Sequence, residues 1–285
     1  MALTVNTNTA SLDAQRAHSR NQQAVNQVLA QLASGSRINS AADDPAGLAI
    51  TQGLTTQVNG DQQALTNAND GISLTQTASA ALGQIQQNTQ QIQQLALQAS
   101  NGILSNSDRQ ALQQQVDQLT QANSQIVQTT QFNGTALLSG NNATTFQVGP
   151  NGTANNQISL NASGLDNAPA SGGLNGYNAN LAATHTIDIS TQANALNATS
   201  QLTQDLNTLS NTQATVGATQ NSFSATINNL ANTSLNTQEA RSRISDTDFA
   251  AATAALAQNQ ILAGANIATL SQANVSQSAA LTLLR

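Results

Sequence analysis

The chain has 285 residues, a formal net charge of −6, 7% charged and 2% aromatic side chains, and neither cysteine nor tryptophan. Without a thiol there is no disulfide framework and no thiolate metal site. All its basic residues are arginine, scattered from Arg16 to Arg285, so it offers nucleic acid no basic surface.

The elements follow in chain order. Residues 1–10 carry neither a basic segment nor a continuous apolar stretch, so they are not read as a cleaved secretory signal. Ala10, Ala14, Ala17, Ala24, Val28 and Leu32, widened by Val25 and Leu29, recur at steps of three and four. That spacing predicts an amphipathic helix with a small-residue face. His18 lies on it and, standing alone, makes no metal site. The pattern breaks at Ser34-Gly35-Ser36, and Asp44-Pro45 starts the next helix, because a carboxylate accepts orphan N–H groups and proline fits the first helical position. Residues 34–44 therefore form a connector, with Gly35, Arg37, Asp44 and Pro45 as its marked positions, and Asp43 and Asp44 read as caps rather than as a catalytic carboxylate pair.

A long helix then runs to about Ser100, its seam formed by Leu65, Ile72, Leu82, Ile85, Ile92, Leu95 and Ala99. Asn101-Gly102 closes it. Ser107-Asp108-Arg109-Gln110 has the form of a capping box, opening a helix that carries Leu112, Val116, Leu119, Ile126 and Val127 and ends before Phe132-Asn133-Gly134. Phe146 and Val148, the turn Gly149-Pro150-Asn151-Gly152, then Ile158 and Leu160 read as a β-hairpin. Residues 163–183 read as loop, and Ile187 and Ile189 as a further short strand. Helix returns near Thr191 with Leu202, Leu206, Leu209, Val216, Phe223, Ile227 and Leu230, reaching residues 241–244.

Ser245-Asp246-Thr247-Asp248 caps the last helix. There Phe249, Ala252, Leu256, Ala263, Ile267, Leu270, Leu281 and Leu284 follow coiled-coil spacing, with no charge between Asp248 and Arg285. At 1.5 Å per residue this helix is roughly 54 Å long. It cannot bury its own stripe and needs partner helices. Gln258, Asn259, Gln260, Asn266, Gln272, Asn274 and Gln277 interrupt every window that would cross a membrane. The predicted fold is mainly α: long antiparallel helices in a coiled-coil-like bundle, a small β-hairpin region, and paired N- and C-termini. The sparse titratable groups predict an assembly tolerant of acid.

Several motifs carry a family resemblance. Residues 33–50, ASGSRINSAADDPAGLAI, together with Ala68-Asn69-Asp70-Gly71-Ile72-Ser73 and Thr130-Gln131-Phe132-Asn133-Gly134, resemble the N-terminal signature of bacterial flagellin. Residues 240–249, ARSRISDTDF, and the ending Leu283-Leu284-Arg285 resemble its C-terminal signature. The resemblance covers about residues 1–139 and 190–285. It implies a subunit that polymerises with itself into the flagellar filament for swimming, outside the cell, with no enzymatic activity and no cofactor. Residues 1–44 with 245–285 would form an inner domain and its connectors. Residues 45–244 would form a middle helical domain, including the hairpin and loops of 142–190. Val25, Val28, Leu32, Phe249, Leu256, Ile267, Leu270, Leu281 and Leu284 would form the polymerisation seam.

The same resemblance implies export in unfolded form through the flagellar type III apparatus, a flagellin chaperone, and contacts with the filament cap and hook-junction proteins. Gln91 and Gln94 stand where many flagellins carry an Arg and a Glu that an animal innate immune receptor reads, which implies weakened recognition. Within residues 30–51, which resemble the segment sensed by plants, Ala42 replaces a common Lys and Pro45 a common Ala. Serines and threonines of 139–190 are candidate glycosylation positions, as in some relatives. The rival readings are a hook–filament junction protein, whose terminal motifs are shared but whose middle signatures fit less well, and a surface adhesin, for which the outer region has few sugar-stacking aromatics. A zinc protease needs His-Glu-x-x-His, and the chain has only His18, His185 and Glu239 to offer.

Overall fold

The computed structural model describes residues 7–141, 143–179 and 186–283, with side chains of the last helix followed to Ser276. Helix α1 (Thr9–Ser34) starts where the Asn8 side chain accepts the Ser11 N–H, and stops at Gly35, whose φ of 69° is left-handed. Helix α2 (Pro45–Ala99) begins behind Asp44, whose carboxylate accepts the Gly47 N–H at 2.8 Å. Helix α3 (Asn106–Thr129) does carry a capping box, but two residues earlier than the sequence pattern suggested. Ser105 accepts from the Asp108 N–H while Asp108 accepts from the Ser105 N–H, so an aspartate fills the place expected of Gln110. The reciprocal bonds satisfy two orphan donors.

Strands β1 (Gln131–Phe132) and β2 (Thr135–Ala136) form a two-residue hairpin that sequence reasoning took only as a helix end. Asn133 and Gly134 both have positive φ, 48° and 76°, the requirement of a tight hairpin turn whose twist matches its strands. Strands β3 (Thr144–Gln147) and β4 (Gln157–Leu160) pair antiparallel with Phe146 opposite Ile158, as their alternation implied. Helices α4 (Gln192–Ser245) and α5 (Phe249–Leu283) complete the chain. The segment at Ile187 and Ile189 is not a strand, although both side chains are fully buried. The Gln113 side chain takes the part of a partner strand: its amide donates to the Ile187 carbonyl at 2.8 Å and its oxygen accepts the Ile189 N–H at 2.6 Å.

The chain divides into two compact units, residues 1–58 with 235–285, and residues 59–234. In the second, Leu74, Leu82 and Ile85 of α2 are buried with Val127 of α3, Leu138, Leu165 and Leu209 of α4. A further cluster joins Ile92, Ala96, Val116, Ile187 and Leu202. Each fully buried aliphatic side chain contributes about 1.5–3 kcal/mol. The Phe223 ring packs edge-on to Phe146 at 5.4 Å and lies where a side chain on Gly71 would stand, so glycine is required there. Many polar groups in this interior are paired: Asn88 donates to Asn123, Asn123 to Thr89, and Arg109 ties the α2–α3 corner through the carbonyls of Ala99 and Asn101. Among the described residues no helix is long and apolar enough to cross a membrane.

Candidate functional site

The remaining unit pairs α1 with α5. Its deepest positions on α1 are Ser11 and Asn21, with Ala14, His18, Ala24, Val25, Val28 and Leu32 half-buried. On α5 they are Ala252, Ala255, Leu256, Asn259, Ala263, Asn266, Leu270 and Ala273. Both rows alternate steps of three and four, the repeat of a coiled-coil seam. The pairing is antiparallel, because the Asn8 amide donates to the Ala273 carbonyl at 3.1 Å while the Asn21 amide donates to the Asn259 carbonyl at 2.8 Å. His18 contributes a buried Nδ1 without a hydrogen-bond partner.

The predicted seam residues divide between two places. Val25, Val28, Leu32, Leu256 and Leu270 line the α1–α5 seam. Phe249 and Ile267 stand outside it, 56% and 57% exposed, because the repeat steps from Ala263 to Asn266 rather than to Ile267. Leu281, as a side chain, and Leu284 lie outside the described residues, as does His185. Ala10 and Ala17 face solvent; the seam runs beside them through Ser11, Ala14 and His18 to Asn21, and the apolar pattern had named neither Ser11 nor Asn21. Sequence reasoning missed those two because it followed apolar residues alone; the unbroken three-four step through serine and asparagine was the available signal.

A second row on α5 faces away from the seam. Ala254, Ile261, Ala268 and Val275 recur every seven residues and are all exposed, Ile261 by 73%. They lie roughly half a turn from the seam positions at 100° per residue. With Leu262, Ile267 and Phe249 they leave this charge-free helix apolar on several sides. Contiguous apolar surface of this kind marks a protein contact.

The connector is bound to the chain that precedes α5. Ser36 and Asp246 form an antiparallel bridge, the Arg37 N–H donates to the Ser245 carbonyl at 2.6 Å, and the Thr247 N–H donates to the Gly35 carbonyl at 3.0 Å. The Arg37 guanidinium donates to the Ile244 carbonyl at 2.7 Å and stands 3.9 Å from the Asp44 carboxylate. Two other carboxylates here are held below their ordinary range by hydrogen bonds: Asp43 by the backbone N–H groups of Ser40 and Asn39, and Asp246 by the hydroxyls of Ser242 and Ser245. Asp248 accepts the N–H groups of Ala250 and Ala251 and so caps α5. Among the described residues no group of three potential metal ligands converges. Gln91 and Gln94 are exposed on α2, one turn apart.

Comparison with known proteins gives one consistent result. The family described as the bacterial flagellin N-terminal helical region matches residues 5–143, and the bacterial flagellin C-terminal helical region matches residues 199–284. A flagellin of Halalkalibacterium halodurans is 37% identical over 282 residues, covering 99% of both chains. A flagellin of Bacillus subtilis is 34% identical over 306 residues, again covering 99% of both. Among solved structures, a Vibrio parahaemolyticus protein described as flagellar hook-associated superposes with a TM-score of 0.59 over 72% of this chain and all of its own, at 11% identity, which speaks to the fold alone.

Proposed function

This chain belongs to the bacterial flagellin family, a structural subunit of the flagellar filament outside the cell and not an enzyme, and from that premise we propose that it polymerises through its terminal helices. The observation that carries this reading is the exposed row Ala254, Ile261, Ala268 and Val275, with Phe249 and Ile267 beside it, on a helix with no charge. In the homopolymer that row is covered by neighbouring copies. The contact is heterologous and open, one patch meeting an unlike patch of the next subunit, which generates a helical filament. Residues 1–44 and 245–285 act as the inner domain with its connectors, and residues 45–244 as the middle domain.

The terminal helices bury chiefly small and polar groups against each other, too little apolar area to offset the entropy of ordering two long helices. They order on assembly, when the second face of α5 is also buried. A subunit of this kind travels unfolded. Export through the flagellar type III apparatus, escort by a flagellin chaperone, and contact with the filament cap and hook-junction proteins belong to the same reading. The middle-domain motifs at residues 68–73 and 130–134 favour the filament over the junction role. Exposed Gln91 and Gln94 offer an innate immune receptor neither a bidentate donor nor a charge, so purified monomer activates it weakly.

The test is seeded growth. Ile261→Asp combined with Val275→Asp places charge on the outward row and leaves the α1–α5 seam untouched. Sheared wild-type filament ends should accept wild-type monomer and reject the variant in electron micrographs. Equal growth by both would overturn the reading.

A further inference from the structure

Asp61 lies in α2 and is 1% exposed, and both of its carboxylate oxygens are buried without a hydrogen-bond partner. Contrast Asp205, also buried, whose oxygens accept the N–H groups of Asn175 and Gly176 and the Asn175 amide. Asp61 shares a helix face with Ala64 and Ala68, and Ala68 belongs to the cluster where α2, α4 and the β3–β4 hairpin meet through Phe223 and Val148. The hairpin turn comes down on α2 at the neighbouring Gly60 and at Asn67. Pro150 lies 2.8 Å from where a Cβ on Gly60 would stand, and the Asn67 amide donates to the Gln147 carbonyl at 2.9 Å.

Among the described residues of α2, the hairpin and the facing part of α4, no charged group stands by to stabilise an ionised Asp61. Its own helix carries no other titratable residue except Asp70, nine positions on and exposed; the hairpin, residues 144–160, carries none; and α4 carries none between Asp205 and Glu239. Burying an unpaired carboxylate is costly enough that such a group keeps its proton or finds water. We propose that Asp61 makes the seating of the β3–β4 turn on α2 proton-linked: the turn stays down while the carboxyl keeps its proton, and lifts to admit water once the proton passes to solvent. Burial also raises the affinity of Asp61 for its proton, which sets the sign. The folded chain binds this proton more tightly than the unfolded chain. The contribution to stability is therefore complete below the ordinary carboxyl range and is lost as pH rises through the raised folded value.

The experiment is hydrogen exchange by mass spectrometry on the full chain, comparing wild type with Asp61→Asn and Asp61→Leu at matched pH. At pH 4 the peptides covering 144–160 should exchange equally in wild type and variants. At pH 8 they should exchange several-fold faster in wild type than in either variant, and the wild-type Tm should have fallen relative to theirs. Equal exchange at both values, or a difference that does not change with pH, would overturn the proposal. Should Asp61→Asn fail to fold, Asp61→Leu supplies the comparison. Should neither fold, the wild type alone decides: protection of 144–160 relative to that of α3 must decline between pH 4 and pH 8, and a constant ratio would refute the linkage.

Discussion

Between α1 and α5 the most deeply buried side chains are Ser11, Asn21 and Ala252, whereas in residues 59–234 they are Phe223, Leu82, Ile85, Ile92 and Leu202. The two regions are built from similar sequences, rich in Ala, Asn, Gln, Ser and Thr and nearly free of charge. They differ in where their large apolar residues go. The central unit buries most of them within the chain, with Leu97, Ile103 and Leu196 left exposed. The terminal pair leaves Leu12, Leu29, Phe249, Ile261, Ile267 and Val275 between 45% and 73% exposed. One region completes its core on folding. In the assembly proposed above the other postpones much of its burial until copies meet, which keeps a subunit from spending its assembly surface on itself.

The sharpest way to break this comparison is to cut a large side chain from each region. Phe223→Ala empties a fully buried site and should cost about 3–5 kcal/mol of monomer stability, read as a lowered midpoint in denaturant. Leu270→Ala, in the α1–α5 seam, should leave that midpoint unchanged and lower the yield of filaments instead. A monomer equally weakened by both would make the two regions alike.

Arg109 offers a test confined to the central unit. Its guanidinium is buried and donates to the carbonyls of Ala99 and Asn101 and to the Asn106 side chain. Arg109→Ala removes these bonds at the α2–α3 corner and should cost about 2–3 kcal/mol, with the loss localised there by hydrogen exchange. In the terminal unit Asn21→Ala deletes one amide-to-carbonyl bond to Asn259. The expected cost is about 1 kcal/mol, seen in the thermal stability of filaments and absent from that of monomer.

The smallest effect is that of acid. Asp43, Asp108 and Asp246 are held below the ordinary carboxyl range by hydrogen bonds from nearby serines, joined at Asp43 by the Asn39 N–H. Their stabilisation is present above that range and is lost only as pH falls through their lowered folded values. All three are exposed, so each contributes little. Asp61 and Asp205 are shifted the other way by burial and work in the opposite sense. Filaments should therefore keep their length between pH 7 and pH 4, measured by sedimentation and microscopy, and a sharp loss in that interval would count against this balance.

Much of this architecture was legible in the sequence, because its signals are periodic. The positions Leu82, Ile85, Ile92 and Ala99 are all buried in α2, and the Phe146–Ile158 pairing follows from simple alternation. The failures have a common physical cause, a polar side chain doing what an apolar residue or the backbone was expected to do. Gln113 replaces a strand against Ile187 and Ile189, Asp108 rather than Gln110 completes the α3 cap, and Ser11 and Asn21 occupy seam positions. Hydrophobic periodicity passes over each of these. The division of the α5 side chains between an inner seam and an outward row was equally hidden, since a helix apolar on most sides has no single preferred face.

The central claim is that the terminal helices become ordered on assembly. It is tested most directly by circular dichroism of purified monomer before and after addition of sheared filament ends, with electron microscopy of the same samples. The expected result is a gain of helix that accompanies the growth of long filaments. Filaments that form with no gain of helix would mean that residues 1–44 and 245–285 are already ordered in the free subunit, and would contradict it.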